Sequence, residues 1–294
     1  HAFGYFNAYD AIAKDPSIDM VLHTGDYIYE YGADGWGAEV SRVIHRMHEP
    51  AHEIVSLADY RTRHAQYKRD EGSLAMHAAH PLIAIWDDHE SANNPWKDGA
   101  QNHQPETEGD WASRREASVR AYYEWMPIRP PEAGRTREEA WRAYSFGDLA
   151  TLVTLETRHT GRDEQVDYMA YVDQIQDQAS RDAFMAEVIN DPSRRMLSDA
   201  MEDDLAAALS ASVEGGQPWR MIGNPSPIAR MLVPDLAGMD VLPYPHGREG
   251  VQPTPADALA WKGIWNLPFY TDTWDGYPAA REDFYRVCRE AGAN

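Results

Sequence analysis

The chain has 294 residues, and its 48 Asp and Glu side chains outnumber its 27 Lys and Arg side chains, which gives a formal net charge of -21 at pH 7. Such an acidic surface repels nucleic acid and anionic membranes, so neither is expected as a partner. The single cysteine, Cys288, excludes an internal disulfide and is expected to be a small core residue. No apolar stretch is long enough to span a membrane, and none has the pattern of a signal peptide.

The spacing of apolar residues predicts the helices and strands in chain order. Helical spacing is found over residues 5–14, 57–70, 76–79, 110–125, 199–211 and 281–291, and short apolar stretches predict strands at 18–23, 81–86, 140–145, 149–156 and 219–222. The two strands around Gly147-Asp148 are expected to form a β-hairpin. Residues 32–50, the polar stretch 93–109 and the proline-rich stretch 243–255 are expected to be loops. The alternation of helices and strands without a repeat predicts a single α/β domain over residues 1–294.

A polar cluster directly follows the first predicted strand. It contains His23, Asp26, Tyr29 and Glu30. An aspartate at a strand end can bind one or two cations through its two oxygens, and Tyr29 is close enough to add a phenolate to a hard trivalent metal ion. In the alternative interpretation, Asp26 caps a turn and Tyr29 packs in the core. The Gly-Asp pair alone does not decide between the two.

A second polar cluster, Asp87-Asp88-His89-Glu90, follows the apolar strand at 81–86. Carboxylates are rarely buried unless they are paired or bind a metal, and open α/β sheets bind ligands at the carboxyl ends of their strands. Metal ions at such a place polarise a phosphoryl oxygen and activate water, and a histidine can protonate the leaving group. A solvated turn with an ion-paired histidine is the alternative. Taken together, the two strand ends predict half of a metal-hydrolysis site, with Asp87 or Asp88 as the second ligand.

Several other polar residues are weaker candidates. Asn93 and Asn94 are suited to hold substrate or a ligand water, although asparagine is equally common in loops. Arg158 follows an apolar strand, where it would clamp a phosphate or form a surface ion pair. His103 would line the pocket or be solvated. The histidines at positions 77 and 80 are expected to be structural, and the chain lacks both a Gly-x-Ser-x-Gly elbow and a glycine-rich phosphate loop.

Five segments in the same order resemble a known family. They are GDYIYEYG (25–32), DYRTRHAQYKRD (59–70), IWDDHE (85–90), NNPWKDGA (93–100) and WDGYPAAR (274–281). Together they resemble the PhoD-like alkaline phosphatases, which belong to the calcineurin-like metallophosphoesterases; the resemblance is weakest across 161–218. It implies a four-layer αββα sandwich, hydrolysis of phosphate monoesters and diesters by metal-activated hydroxide, and a binuclear or trinuclear centre of Fe³⁺ and Ca²⁺. It also implies a small phosphate-ester substrate and a secreted or periplasmic protein.

The resemblance also implies roles for individual residues. Asp26 would be the bridging metal ligand, and Tyr29 would bind the trivalent ion. Asp88 stands where related phosphoesterases carry the ligand asparagine of Gly-Asn-His-Glu, with Asp87 as the runner-up, and His89 would be the catalytic histidine. We expect Asn93 and Arg158 to bind substrate.

The sequence departs from the family pattern in three respects. The family's cysteine ligand falls before His1, its late Gly-Asp-x-His segment would begin beyond Asn294, and Glu156 replaces the aspartate of the usual Leu-Asp-Thr-Arg. The sequence is therefore expected to be a fragment lacking both ends of the domain, which binds metal weakly and is poorly active by itself. Two alternatives are a degenerate family member that acts as a binding domain and a phosphotriesterase on the same scaffold.

Overall fold

The computed structural model describes residues 4–235 and 255–293. Its α-helices are α1 (Asn7–Ala13), α2 (Ala38–Val43), α3 (Leu57–Lys68), α4 (Glu71–Ala79), α5 (Pro105–Glu108), α6 (Trp111–Trp125), α7 (Gln178–Phe184), α8 (Asp199–Glu214), α9 (Pro255–Ile264) and α10 (Pro278–Glu290). Its strands are β1 (Val21–His23), β2 (Leu82–Ala84), β3 (Pro95–Trp96), β4 (Gly99–Ala100), β5 (Arg142–Phe146), β6 (Ala150–Thr154) and β7 (Trp219–Gly223). Short 3₁₀ turns at Tyr168–Ala170 and Trp274–Gly276 and a π-helical turn at Met185–Ile189 complete the described elements.

Strands β1 and β2 form a parallel pair that positions both polar clusters. Val21 lies opposite Leu82 and His23 lies opposite Ala84. The pairing continues one residue further, because the Ile85 N–H donates to the His23 carbonyl over 3.0 Å. Parallel strands end at the same edge of a sheet, so the chain segments after His23 and after Ile85 emerge side by side.

A second sheet has the order β5-β6-β7. The predicted hairpin is confirmed, since β5 and β6 pair antiparallel from Arg142–Thr154 to Phe146–Ala150. Strand β7 lies parallel to β6 on its other side. All five residues of β6 are buried, and the strand leads directly into the segment that contains Arg158.

Two of the three stretches predicted to be loops contain regular secondary structure. Residues 32–50 contain α2, and residues 93–109 contain the β3/β4 hairpin and α5. The hairpin depends on a contact that periodicity does not detect: a Cβ at Gly99 would lie 2.5 Å from the Trp96 ring, so only glycine lets the ring cover the turn. Of the predicted loop 243–255, residues 243–254 lie outside the described residues, and Pro255 begins α9. The predicted helix 76–79 is the end of the longer α4.

Two large clusters of apolar side chains form the core. One packs α3 and α6 against the β1/β2 sheet and includes Trp86. The other packs β6 against α8 and α10, and half-buried Cys288 lies at its margin. The chain is thus mixed α/β, as predicted, whereas the four-layer arrangement stays a prediction.

No helix in residues 4–235 and 255–293 is both long enough and apolar enough to cross a membrane.

Helix α3 carries a buried histidine that links stability to pH. His64 is fully buried, and neither ring nitrogen has a hydrogen-bond partner among the described residues. Burial lowers the pKa of His64 to about 3, below the value of an unfolded chain. The unfolded state therefore binds the proton first, and stability is lost as pH falls from about 6.5 towards 3, by at most roughly 4–5 kcal/mol.

We expect His64→Phe to remove this pH dependence, since phenylalanine keeps an aromatic ring in the same space. The difference in unfolding free energy between the variant and the parent chain should grow by about 1.4 kcal/mol per pH unit below pH 6. Urea titrations at a series of pH values measure it. His45→Asn, at an exposed histidine whose φ of 55° asparagine tolerates, is the control that should show no such trend. A constant difference for His64→Phe contradicts the prediction.

Candidate metal centre

The turns that follow β1 and β2 touch each other backbone to backbone. Gly25 has a φ of 100°, and a Cβ there would lie 2.2 Å from the amide nitrogen of Asp87, so no larger residue fits. Asp26 follows with a φ of 57°, in the left-handed region that aspartate tolerates. The buried carboxylate of Glu90 accepts the N–H groups of Asp26, Tyr27 and Asp87, and thereby fixes one turn to the other.

This contact brings Asp26, Asp88 and His89 together. One potential ligand atom from each residue lies within 4.8 Å of the other two. Asp26 Oδ2 accepts a 2.9 Å hydrogen bond from the Tyr29 hydroxyl, and Asp88 Oδ2 accepts a 3.0 Å bond from the Asn94 N–H. Asp26 Oδ1 is buried and has no hydrogen-bond partner among the described residues. An unpartnered buried carboxylate oxygen is costly unless a cation neutralises it, so these residues fit a metal ion.

The electrostatics of the cluster also favour a cation. Burial, and then the charge of Asp88, raise the pKa of Asp26 to about 7. Burial opposes the charged form of His89, but Asp88, Glu30 and Asp26 outweigh it and raise its pKa to about 10. Burial likewise opposes ionisation of Asp88, yet His89 and Arg158 hold its pKa below its ordinary value. Without a bound metal ion, Asp26 and Asp88 are therefore not both ionised unless a positively charged group such as His89 lies beside them.

His89 is held firmly by its surroundings. Its Nδ1 lies 2.7 Å from Oε2 of the fully buried Glu30. The other oxygen of that carboxylate, Oε1, accepts the Asn93 N–H and the Asn102 side-chain amide. The imidazole stacks on the Tyr29 ring, with 4.3 Å between centroids. With Nδ1 engaged by Glu30, the other nitrogen, Nε2, is the one directed at Asp88, 3.9 Å away.

Arg158 forms a buried ion-pair group rather than the surface pair considered from the sequence. Its Nε donates to Asp87 Oδ1 over 2.6 Å, its Nη1 lies 3.4 Å from Asp272, and its Nη2 lies 3.9 Å from Asp88. Asp87 is thus occupied by the guanidinium, whereas Asp88 faces Asp26 and His89. Between the two aspartates that the sequence left open, this geometry favours Asp88 as the residue that would meet a metal ion.

The remaining candidates lie around the cluster rather than in it. The Asn93 side chain donates to Gln101, and only its backbone N–H reaches Glu30. His23 bonds to the Tyr9 hydroxyl, 2.6 Å away. His103 is buried and pairs with Glu108 at 3.0 Å, so it is not solvated.

Sequence reasoning assigned no role to three acidic residues that organise this site. Glu30 holds His89, Glu90 joins the two turns, and Asp272 pairs with Arg158. Glu30 and Glu90 do lie in the two polar clusters, and their closeness in sequence to Asp26 and Asp88 could have indicated that they belong to the site. Asp272 lies 114 residues from Arg158 in the chain, and no local pattern points to it.

Comparison with known proteins identifies the family of the chain. A family model described as PhoD-like phosphatase matches residues 1–294. The chain belongs to the PhoD-like phosphatase family. The resemblance read from the five sequence segments is therefore confirmed.

Two matches cover nearly the whole length of this PhoD-like phosphatase. Alkaline phosphatase D of Bacillus subtilis (strain 168) is 32% identical over 299 residues, which cover 99% of this chain and 42% of that protein. A solved structure described as "Structure of PhoD" superposes with a TM-score of 0.70 at 30% identity, covering 99% of this chain and 47% of that one. The chain thus spans less than half the length of either relative.

Proposed function

We propose that this chain supplies one wall of a metal-dependent phosphoesterase active site. The observation that carries the proposal is the convergence of Asp26, Asp88 and His89, with one ligand atom from each within 4.8 Å of the others and the Oδ1 of Asp26 left without a partner among the described residues. Membership of the PhoD-like phosphatase family supports phosphate-ester hydrolysis as the reaction. The four-layer αββα sandwich, iron and calcium as the metals, and export from the cytoplasm belong to the same proposal and rest on the family resemblance.

Asp26 and Asp88 would hold the metal centre, with Asp26 as the bridging ligand. Tyr29 would join them as a phenolate, and the proton that its hydroxyl now donates to Asp26 would pass to solvent. A bound metal ion would polarise the phosphoryl oxygen and lower the pKa of a coordinated water. The chain's own contribution is to place these oxygens before the reaction, through the turn that Gly25 permits and the hydrogen bonds that Glu90 accepts.

His89 would donate a proton from Nε2 to the leaving oxygen of the ester. Glu30 holds Nδ1 and so keeps the ring oriented. Arg158 would bind the phosphate through Nη1, whose contact with Asp272 at 3.4 Å is long enough for a phosphate oxygen to compete with it. Asn93 would assist through its side-chain amide, once that group leaves Gln101.

Metal removal tests the proposed function. Hydrolysis of p-nitrophenyl phosphate and of bis(p-nitrophenyl) phosphate is measured before and after chelation, and again after iron and calcium are restored singly and together. We expect chelation to stop hydrolysis and restored metal to recover it. Hydrolysis that persists in protein shown by elemental analysis to be metal-free would contradict the proposal, and the ratio of the two rates defines the ester class.

His89→Gln separates a catalytic role for His89 from a ligand role. Glutamine can still donate a hydrogen bond to Glu30 through its side-chain amide, but it cannot transfer a proton at neutral pH. We expect kcat to fall by about 10²-fold while metal content is retained, because proton transfer by a positioned side chain contributes that much or more. Loss of metal in step with activity would instead make His89 a ligand. His52→Gln, at an exposed histidine, is the matched control and should leave both quantities unchanged.

A further inference from the structure

An open cleft of about 690 Å³ adjoins the candidate metal centre. Two residues of the cleft wall contact residues at the centre. Asn94 lines the cleft, and its N–H donates to Asp88. Asp272 lines the cleft, and its carboxylate pairs with Arg158. A phosphate bound by Arg158 beside Asp88 would therefore lie close to two residues of the cleft wall.

Aromatic rings form much of the wall of the cleft. Tyr168 and Trp261 are buried residues of its wall, with their rings edge to face and 5.9 Å between centroids. Phe269 and Tyr270 form a second edge-to-face pair, 4.4 Å between centroids, and Tyr270 is half-exposed at the rim. Trp96 lines the side nearest Asn94. Ligand sites of this volume are typically lined by such rings, which contact flat apolar groups over a large area.

The charged groups of the cleft are mostly acidic. The carboxylates of Glu164, Asp167 and Asp272 line it, together with one cation, Lys262. The Lys262 ammonium donates to the Phe269 carbonyl over 3.1 Å and lies 5.0 Å from the centre of the Tyr168 ring. Its charge is therefore already engaged by two residues of the cleft wall. An anionic group in the cleft would therefore meet more repulsion than attraction.

We propose that the cleft binds the organic group of the phosphate ester, and that this group is a flat, uncharged ring system. This inference rests on the proposed function for the position of the phosphate. It adds a substrate class, aryl or heteroaryl phosphate esters, that the metal centre alone does not define.

The first test measures binding without catalysis. 2-Naphthol, the ring system alone, is titrated into the chain and followed by calorimetry, beside 6-hydroxy-2-naphthalenesulfonate, which adds a negative charge. We expect saturable binding of 2-naphthol, weaker binding of the sulfonate, and a loss of about five-fold in 2-naphthol affinity in Tyr270→Ala, the size of one aromatic contact. Trp219→Ala, which removes an exposed ring from β7 outside the cleft, is the matched control and should bind as the parent chain does.

The second test measures hydrolysis of 2-naphthyl phosphate and of methyl phosphate. Tyr270→Ala should raise KM about five-fold for the naphthyl ester and leave both kcat and the methyl ester unchanged. Equal effects on the two esters, or 2-naphthol affinity unaffected by Tyr270→Ala, would overturn the inference. If neither ester is hydrolysed by metal-loaded protein that contains this chain together with the opposite wall of the active site, the proposed function fails, and the calorimetric experiment still decides whether the cleft binds the ring.

Discussion

Asp26→Asn should lower kcat/KM for phosphate-ester hydrolysis on the order of 10³-fold or more, because metal ions contribute several kcal/mol of transition-state stabilisation at such sites. Asparagine tolerates the φ of 57° at this position, so the backbone turn is expected to persist. What the substitution removes is the negative charge and one metal-binding oxygen. Steady-state kinetics and elemental analysis of the variant and the parent chain measure the two losses together.

The same substitution should stabilise the metal-free protein, which distinguishes ligand loss from unfolding. Burial and Asp88 raise the pKa of Asp26 above its unfolded value, so the folded state holds the proton longer and loses stability as pH rises through the interval from about 4 to 7. Asparagine has no proton to lose. At about pH 8, chelator-treated Asp26→Asn should therefore unfold with a free energy at least about 1 kcal/mol higher than that of the chelator-treated parent.

Asp34→Asn is the matched control, since Asp34 is exposed in the same connecting segment. It should leave activity, metal content and stability unchanged. An Asp26→Asn variant that keeps most of its activity would exclude Asp26 as a ligand. One that loses both activity and stability would show that Asp26 serves the fold rather than the metal.

Glu156→Ala should produce the largest loss of stability among the site's neighbours, at least about 3 kcal/mol, because several buried donors lose their acceptor at once. The fully buried Glu156 carboxylate accepts the Trp86 indole N–H, the backbone N–H groups of Arg158, His159 and Thr160, and the Thr160 hydroxyl. This carboxylate therefore joins the segment that contains Arg158 to Trp86, which lies between β2 and the metal centre. Urea unfolding measures the loss.

Glu156→Asp introduces the aspartate that the sequence resemblance led us to expect at this position, and it tests whether side-chain length matters here. The shorter side chain cannot reach the Trp86 indole and all the backbone donors together, so we expect an intermediate loss of about 1–2 kcal/mol. Glu282→Ala, at an exposed glutamate of α10, should change the free energy of unfolding by less than about 0.5 kcal/mol. A Glu156→Ala variant as stable as Glu282→Ala would show that the network contributes nothing.

Local sequence patterns predicted the two strand ends and the hairpin because their causes are local. An apolar strand followed by clustered carboxylates identifies Asp26 and the group from Asp87 to His89 without any tertiary information. The choice between Asp87 and Asp88 was different in kind. It depends on a one-residue register in the turn, and that register is set by Arg158 occupying Asp87 and by Glu90 accepting N–H groups from both turns.

The features that sequence patterns missed depend on contacts between distant residues. The pairing of Asp272 with Arg158 has no periodic signal, and neither does the close approach of Gly25 to Asp87. Helix α2 and the β3/β4 hairpin are too short for apolar periodicity to distinguish them from loops. Their positions follow from glycine conformations and a single ring contact, which become evident only when the chain is folded.

The most direct test of the account is a crystal structure of the metal-loaded protein with diffraction data collected at the absorption edge of the bound metal. We expect an anomalous peak within about 2.0–2.6 Å of Asp26 Oδ1 and of an Asp88 oxygen, the range of metal–oxygen bonds in proteins. We also expect His89 Nδ1 to be still bonded to Glu30. A metal ion bound elsewhere, with Asp26, Asp88 and His89 in their present positions and only water among them, would contradict the account.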